Sequence, residues 1–471
     1  MSELPALSDG KLLTSAEDPM EWLEPAAGGV SPAFRSWLAE RSTVTSCRVE
    51  RTPLNEMRGW SFDDTTGNLA HESGRFFVVE GVHVRTTYGA VAEWYQPIID
   101  QPEIGILGML MKFVDGVPYC LLQAKVEPGN INMMQLSPTV QATRSNYTRV
   151  HGGGGTRYLE YFTRPGAGRV LVDVLQSEQG SWFLHKRNRN MVVLVDDVPP
   201  SDYHHWLPLH EVRRLLRVDV LVNMDTRTVL SCLPSTFFAG SGVAPADDAM
   251  AAALARSASG EGPSYHATEA VLSWFTEAKS RHELAVSRIP LRDLRGWRRT
   301  PYEISREDGR HFSIVGVTVR IDSREVTEWS QPLLHPRQRG IIAFVLKVAD
   351  GTVHVLVHAR FQVGLLDAME MGPTVQCTPN SGAGQRPPFL DLILDAPSER
   401  ILFDTVLAEE GGRFYRAENR YLVVQVDDED IPEVPDTFCW VTVHQLATLL
   451  RHGYYLNVEA RSLLACLHSL W

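Results

Sequence analysis

Several common signatures of function are missing from this sequence. Positive charge is in deficit: 45 Lys and Arg stand against 57 Asp and Glu, a formal net charge of −12. That disfavours a nucleic-acid partner, which needs a basic face, but not a nucleotide, whose diphosphate needs only a few local cations. No run of about 18 apolar residues is present to span a bilayer. The first residues carry acidic groups and no apolar stretch, so no secretory signal is expected. The six cysteines form no C-x-x-C pair, which argues against a zinc or thioredoxin-like site. The expectation is a reduced, cytoplasmic protein with neither a membrane nor a nucleic acid as partner.

Catalytic motifs are missing too. No G-x-G-x-x-G follows a strand pattern, and no G-x-x-x-x-G-K-[ST] loop occurs. His151-Gly152-Gly153-Gly154 has no G-x-S-x-G elbow to accompany it. His210-Glu211 runs on into Val-Arg-Arg, without the second His of a zincin. No metal and no cofactor are expected. The chemistry falls to ordinary side chains acting on a bound substrate, or the protein only binds.

What the chain does have is an internal duplication. Glu93-Trp94-Tyr95-Gln96-Pro97 recurs as Glu328-Trp329-Ser330-Gln331-Pro332, an offset of 235. Without a gap, 93–143 matches 328–378 at 18 of 51 positions, where average residue usage would give about three. Gly180, Phe183 and Asn188-Arg189 pair with Gly411, Phe414 and Asn419-Arg420. Asn223 and Arg227 pair with Asn457 and Arg461. The expected organisation is a first copy over 20–238, a linker over 239–266 rich in Ala, Gly, Ser and Pro, and a second copy over 267–471. A short helix at Met250–Arg256 is expected within the linker.

Each copy reads as an α+β unit with an antiparallel or mixed sheet. A helix containing Trp37 or Trp274 opens it. In the first copy strands are expected at Phe76–Arg85, Gly105–Val114, Tyr119–Lys125, Leu159–Phe162 and Met191–Asp196. Asp115-Gly116 marks a hairpin turn. A helix at Leu209–Leu216 closes the unit, with Leu209, Val212, Leu215 and Leu216 on one face.

Hydrogen-bonding residues concentrate where the strand ending at Lys125 loses its periodicity, as function does on loops held by a scaffold. The stretch holds Gln123, Lys125, Glu127, Asn130, Gln141, Thr143, Arg144, Tyr147, Arg149 and His151. Glu127, Tyr147 and His151 are the proton-transfer candidates; Lys125, Arg144, Arg149, Asn130, Gln123, Gln141 and Thr143 are candidate donors. The second copy keeps Thr374, Gln376 and Thr378 but has Arg360 for Lys125, Gln362 for Glu127 and Leu365 for Asn130. It has no aligned Tyr or His. The first copy is therefore the better catalytic candidate, and the second binds ligand or supports the fold. Alternatives stay open at each position. Glu127 before Pro-Gly also fits a surface carboxylate, and Lys125 one that snorkels to solvent. Trp94 and Trp329, beside Gln96 and Gln331, fit either core packing or stacking on a flat base. Arg189 and Arg420 fit either a structural ion pair or a phosphate contact.

Three runs in this region resemble those of the NDP-hexose 2,3-dehydratases: Trp94 to Gly105, Gln123 to Asn132, and Gln135 to His151. In the second copy, Gly372 to Thr378, Arg386 to Asp391 and Glu409-Glu-Gly-Gly-Arg-Phe-Tyr415 are similar to that family too. The resemblance covers most of the chain and implies a duplicated Nudix-like fold, a homodimer, and a dTDP-linked 4-keto-6-deoxy sugar as substrate. It implies a 3,4-diketo-2,6-dideoxy product, used in deoxysugar biosynthesis for antibiotics. The Glu-rich metal helix of Nudix hydrolases is missing from the sequence. Two rivals are a nucleotide-sugar binding protein without turnover, which would be expected to keep its polar residues in both copies, and a Nudix-type hydrolase.

Overall fold

The computed structural model describes residues 29–143, 156–238, 248–321, 327–379 and 386–471. It is α+β, built on four sheets. Two of these have seven strands and the same order. In the first copy Arg169–Ser177, Arg187–Leu194, Gly105–Val114, Val117–Val126 and His204–Pro208 lie side by side. Met134–Ser137 and Val140–Ala142 extend the sheet beside Val117–Val126 and Gly105–Val114. In the second copy the corresponding path is Ile401–Ala408, Glu418–Gln425, Gly340–Ala349 and Thr352–Phe361, with Phe438–Thr442 paired to the last. One neighbouring pair in each is parallel, Arg187–Leu194 with Gly105–Val114 and Glu418–Gln425 with Gly340–Ala349.

The hairpins at the centre of both sheets follow from local chemistry. Asp115 and Gly116 take φ of 50° and 79°, and Asp350 and Gly351 take 48° and 68°. Two successive left-handed residues suit the twist of a two-residue hairpin, and Asp-Gly tolerates them. The strand expected at Gly105–Val114 has those bounds, and the next runs Val117–Val126. Leu159–Phe162 differs from its expected strand: Glu160–Thr163 is one helical turn, with Phe162 buried. A Cβ on Gly108 would lie 2.6 Å from the Phe162 ring, so the glycine is what admits that ring against the sheet.

The two copies are interlocked. The first strand of copy one, Cys47–Thr52, pairs antiparallel with Phe312–Ile321 of copy two, from Cys47 opposite Ile321 to Thr52 opposite Gly316. The matching strand of copy two, Leu284–Ile289, pairs with Val78–Thr86 of copy one. Each smaller sheet thus contains a strand from the other copy. The largest apolar core is likewise shared, with Leu107, Met109, Leu122 and Val229 packed in one cluster with Phe344, Val355, Leu463 and Leu464. The helix within the expected linker runs Ala249–Ser259. It is capped by Asp248, and it buries Ala251, Ala253, Leu254 and Ala258 in this common core.

Two fully buried arginines brace the join in the same way. The helices Met224–Ser231 and Val458–Leu467 are each capped by an asparagine, Asn223 or Asn457. Arg227 donates to Val222 O at 2.7 Å in its own copy and to Ala408 O at 2.7 Å in the other. Arg461 donates to Leu456 O at 2.7 Å, to Thr228 Oγ1 at 2.7 Å and to Ser177 O. Replacing Arg461 with Ala leaves those acceptors buried without their donor. At about 1–3 kcal/mol for each of the orphaned groups, the expected loss is at least about 3 kcal/mol of unfolding free energy. Denaturant midpoints would measure it, and a loss below about 1 kcal/mol would show that the carbonyls find other donors.

Candidate active site

The turn after Lys125 crosses into the other copy. Gly129 N donates to Gly411 O at 2.7 Å, and Arg416 N donates to Gly129 O at 2.7 Å. A Cβ on Gly129 would sit 1.8 Å from Phe414 O, so only glycine permits the approach. The arrangement is reciprocal: Gly364 N donates to Gly180 O at 2.6 Å, and a Cβ on Gly364 would lie 1.7 Å from Phe183 O. Two equivalent places therefore exist where the polar strand end of one copy meets the Gly-containing turn of the other.

At the first of these, the fold draws together residues from several elements. Lys125 Nζ lies 3.1 Å from Glu127 Oε1, and Gln141 Nε2 donates to the same oxygen at 3.0 Å. Ser137 Oγ orients Gln141 by donating to its Oε1 at 3.0 Å. Glu127 is buried, and among the described residues no donor reaches its Oε2. A methyl carbon built on Gly412 would lie 3.5 Å from Glu127 Oε1 and 3.3 Å from Glu410 Oε1. Glu410, from the second copy, thus faces the same space as Glu127.

Further ionisable groups surround the pair. Burial pushes the Glu410 carboxyl above its ordinary range, the Arg413 charge opposes that, and Glu127 adds to it. Glu178 is pushed up to about 7, by burial first and the Glu410 charge second. Asn188 donates to Glu178 at 2.7 Å. Asp225 is raised well above its usual value by burial, then by Glu410, Glu178 and Glu127. Burial lowers Lys186, while Glu410 and Glu178 hold its proton on. Arg413 reaches across to Gln101 Oε1 at 3.0 Å and lies 4.5 Å from the centre of the Phe77 ring. Carboxyls crowded out of water hold their protons to higher pH than usual, which is the setting acid–base chemistry needs.

The expected residues divide into three groups. Lys125, Glu127 and Gln141 come together as described. Gln123 lies two residues before Lys125 on the same strand, hence on the same face, and Thr143 follows the strand that carries Gln141. Asn130 sits in the interlocking turn and donates to Met133 O at 3.1 Å. Arg144, Tyr147, Arg149 and His151 lie outside the described residues. The remaining expected residues make contacts within the protein that are mostly matched between the copies. Trp94 donates to Gln96 Oε1 at 2.8 Å and Trp329 to Gln331 Oε1 at 2.9 Å, and each glutamine then donates to the Gly-containing turn of its own copy, Gln96 to Ser181 O at 2.9 Å and Gln331 to Gly412 O at 2.8 Å. Of the two readings open for Arg189 and Arg420, the ion pair is the one present, bidentate to Asp173 and Asp404. Thr374 Oγ1 accepts from Val345 N and donates to Leu356 O, as Thr139 does between Leu110 N and Leu121 O. Gln376 accepts from Asn457 at 2.9 Å.

Sequence reasoning missed Glu178, Lys186, Asp225, Glu410 and Arg413. Only the Glu409–Tyr415 run carried a signal, and it pointed to a family rather than to a role. Among the described residues no helix is long and apolar enough to cross a membrane, and no group of three or more His, Cys, Asp or Glu is placed to hold a metal ion.

A family described as NDP-hexose 2,3-dehydratase matches the chain twice, over residues 31–233 and 268–467. A dTDP-4-dehydro-6-deoxy-alpha-D-glucopyranose 2,3-dehydratase of Saccharopolyspora spinosa is 49% identical over 454 residues, 95% of this chain and 93% of the relative. One of the same name from Streptomyces violaceoruber is 51% identical over 444 residues, 93% of this chain and 97% of the relative. A third, from Amycolatopsis orientalis, is 48% identical over 445 residues, 92% of this chain and 89% of the relative. Matched along both copies and nearly end to end with these relatives, the chain belongs to the NDP-hexose 2,3-dehydratase family.

Proposed function

We propose that the protein is a hydro-lyase that removes water across C2 and C3 of dTDP-4-keto-6-deoxyglucose, giving a 3,4-diketo-2,6-dideoxy sugar for deoxysugar and antibiotic biosynthesis. The observation that carries the reading is the Lys125–Glu127–Gln141 cluster, buried at the join of the copies, with no donor among the described residues at Glu127 Oε2. The C4 ketone acidifies the proton on C3. Glu127 takes that proton and charge develops on O4 as an enolate. Lys125, whose Nζ lies 3.1 Å from Glu127 Oε1, stabilises that charge. Positioned proton transfer is worth about 10²–10⁴-fold, and a donor aimed at the oxyanion about 10²–10³-fold. The C2 hydroxyl then leaves, and the enol left at C3 tautomerises to the ketone.

The same reading keeps Arg144, Tyr147, Arg149 and His151 as groups that bind or act on the sugar nucleotide, and Gln123, Asn130 and Thr143 as donors to it. It takes residues 20–238 as the catalytic copy and 267–471 as the copy that supports or binds, each a Nudix-like unit. The like strand order of the two large sheets supports that unit. The working protein is a cytoplasmic homodimer, an assembly that sedimentation would check. Incubation with the 4-keto sugar tests the function. Loss of the C3 proton and appearance of the diketo product are expected; tight binding without turnover, or release of thymidine monophosphate, would refute it.

Chelators are expected to leave turnover unchanged, because neither a metal motif in the sequence nor a ligand cluster among the described residues is there to hold a divalent cation. Dehydration lost in excess EDTA and restored by Mg²⁺ or Mn²⁺ would overturn that.

A further inference from the structure

The two equivalent joins differ in a coordinated way. At the first, Lys125, Glu127 and Gln141 of copy one meet Glu410 of copy two. At the second, the corresponding positions are Arg360, Gln362 and Gln376 of copy two and Gln179 of copy one. Glu178 and Asp225 have acidic counterparts in Glu409 and Glu459, so those carboxyls are present at both places. Glu127 and Glu410 are the acidic pair present together at one join and replaced together by glutamine at the other. They come from different copies, and both joins keep the same Gly-to-Gly hydrogen bond. A carboxyl needed for folding would be needed at both. A carboxyl needed for proton transfer is needed only where the reaction occurs.

From this geometry we propose that Glu410, supplied by the second copy, is the acid that protonates the C2 hydroxyl as it leaves. The assignment rests on the reading of Glu127 as the base at C3. Its carboxyl oxygen and that of Glu127 both fall within 3.5 Å of one methyl-sized position on Gly412. Among the described residues it forms no hydrogen bond that would hold it ionised, and burial favours its protonated form. The charged groups around it are Arg413, Lys186 and Lys125 on one side of the balance and Glu127, Glu178 and Asp225 on the other.

The proton and electron count closes. Glu127 accepts the C3 proton, and the C3–H electron pair forms the enolate. As that pair moves to make the C2–C3 double bond, the C2–O bond breaks and the oxygen takes the Glu410 proton, leaving as water. Glu127 is then protonated and Glu410 ionised. Ketonisation reverses both: Glu127 returns its proton to C2, and Glu410 takes the proton of the C3 enol. Both carboxyls regain their starting states with no external oxidant, reductant or cofactor.

The test is Glu410→Gln beside Glu127→Gln, with dTDP-4-keto-6-deoxyglucose in D₂O. Glutamine already occupies the equivalent place at Gln179, so the fold accepts it. Glu410→Gln is expected to lower dehydration at least 100-fold. It should still exchange the C3 hydrogen for deuterium, while Glu127→Gln loses exchange and dehydration together. Wild-type kcat should fall at alkaline pH as Glu410 ionises, and the residual turnover of Glu410→Gln should lack that limb. Glu410→Asp, which keeps the acid, should recover part of the rate lost in Glu410→Gln. Melting temperature and thymidine diphosphate affinity verify the fold, and an unfolded Glu410→Gln leaves Glu410→Asp and the wild-type pH profile to decide. Dehydration near the wild-type rate in Glu410→Gln, an unchanged alkaline limb, or an acid-bearing folded Glu410→Asp that loses C3 exchange would overturn the assignment. Near-wild-type turnover in both Gln variants would instead overturn the underlying site reading.

Discussion

Glu127→Gln should lower kcat by about 10²–10⁴-fold while changing the affinity for thymidine diphosphate little. The substitution keeps the size of the side chain and an oxygen that accepts from Lys125 and Gln141, whose nitrogens lie 3.1 and 3.0 Å from Glu127 Oε1. It removes the ability to take a proton. The fold tolerates the amide, since Gln362 occupies the equivalent buried position in the second copy. The loss therefore falls on the transition state rather than on ground-state binding, and a split between kcat and affinity is the readout. Steady-state kinetics with the 4-keto sugar, together with C3–H exchange in D₂O, would measure it. Near-wild-type kcat and exchange would remove Glu127 from the mechanism and shift attention to Tyr147 and His151.

The sequence exposes secondary structure well where local chemistry decides it. Gly105–Val114 is an apolar run closed by Asp115-Gly116, and turn and strand agree with the structure to the residue. Leu209, Val212 and Leu215 recur at helical spacing, and Leu209–Leu215 is a helix. Leu159–Phe162 is a four-residue run too short for period to distinguish strand from helix. What resolved it was tertiary: Phe162 packs over Gly108, a residue distant in sequence. The exchanged strands were beyond reach for a related reason. Alternation along Cys47–Thr52 or Leu284–Ile289 says that a strand forms, not which sheet receives it.

The site divides along the same line. Lys125, Glu127 and Gln141 were legible because they crowd one segment whose counterpart in copy two differs. Glu410 and Arg413 were not, since they reach the site only through the crossing of Gly129 onto Gly411. For the tryptophans the sequence leaves core packing and stacking on a base both open; in the structure each indole donates to the glutamine that holds the Gly-containing turn of its own copy, an arrangement that both joins share.

Neither copy made alone, 29–238 or 248–471, is expected to fold cooperatively, whereas the two produced together should reassemble and regain dehydratase activity. A chain of two equal units joined by a linker ordinarily gives separable domains. Here each half would lose a structural strand to the other. Without copy two, Val78–Thr86 loses Leu284–Ile289 and becomes an edge with Val82 and Val84 uncovered, while Cys47–Thr52 has no sheet to join. Arg227 would lose Ala408 O, and Arg461 would lose Ser177 O and Thr228 Oγ1, leaving guanidinium groups that were hydrogen-bonded in a dry interior facing solvent or nothing. The largest apolar cluster would be cut through its middle. Against a net stability of about 5–15 kcal/mol for an ordinary domain, losses of this kind are not survivable. Circular dichroism melting and amide hydrogen exchange on each half would check it. The full chain should melt in one transition, and two transitions that each match an isolated, folded half would show the copies to be independent.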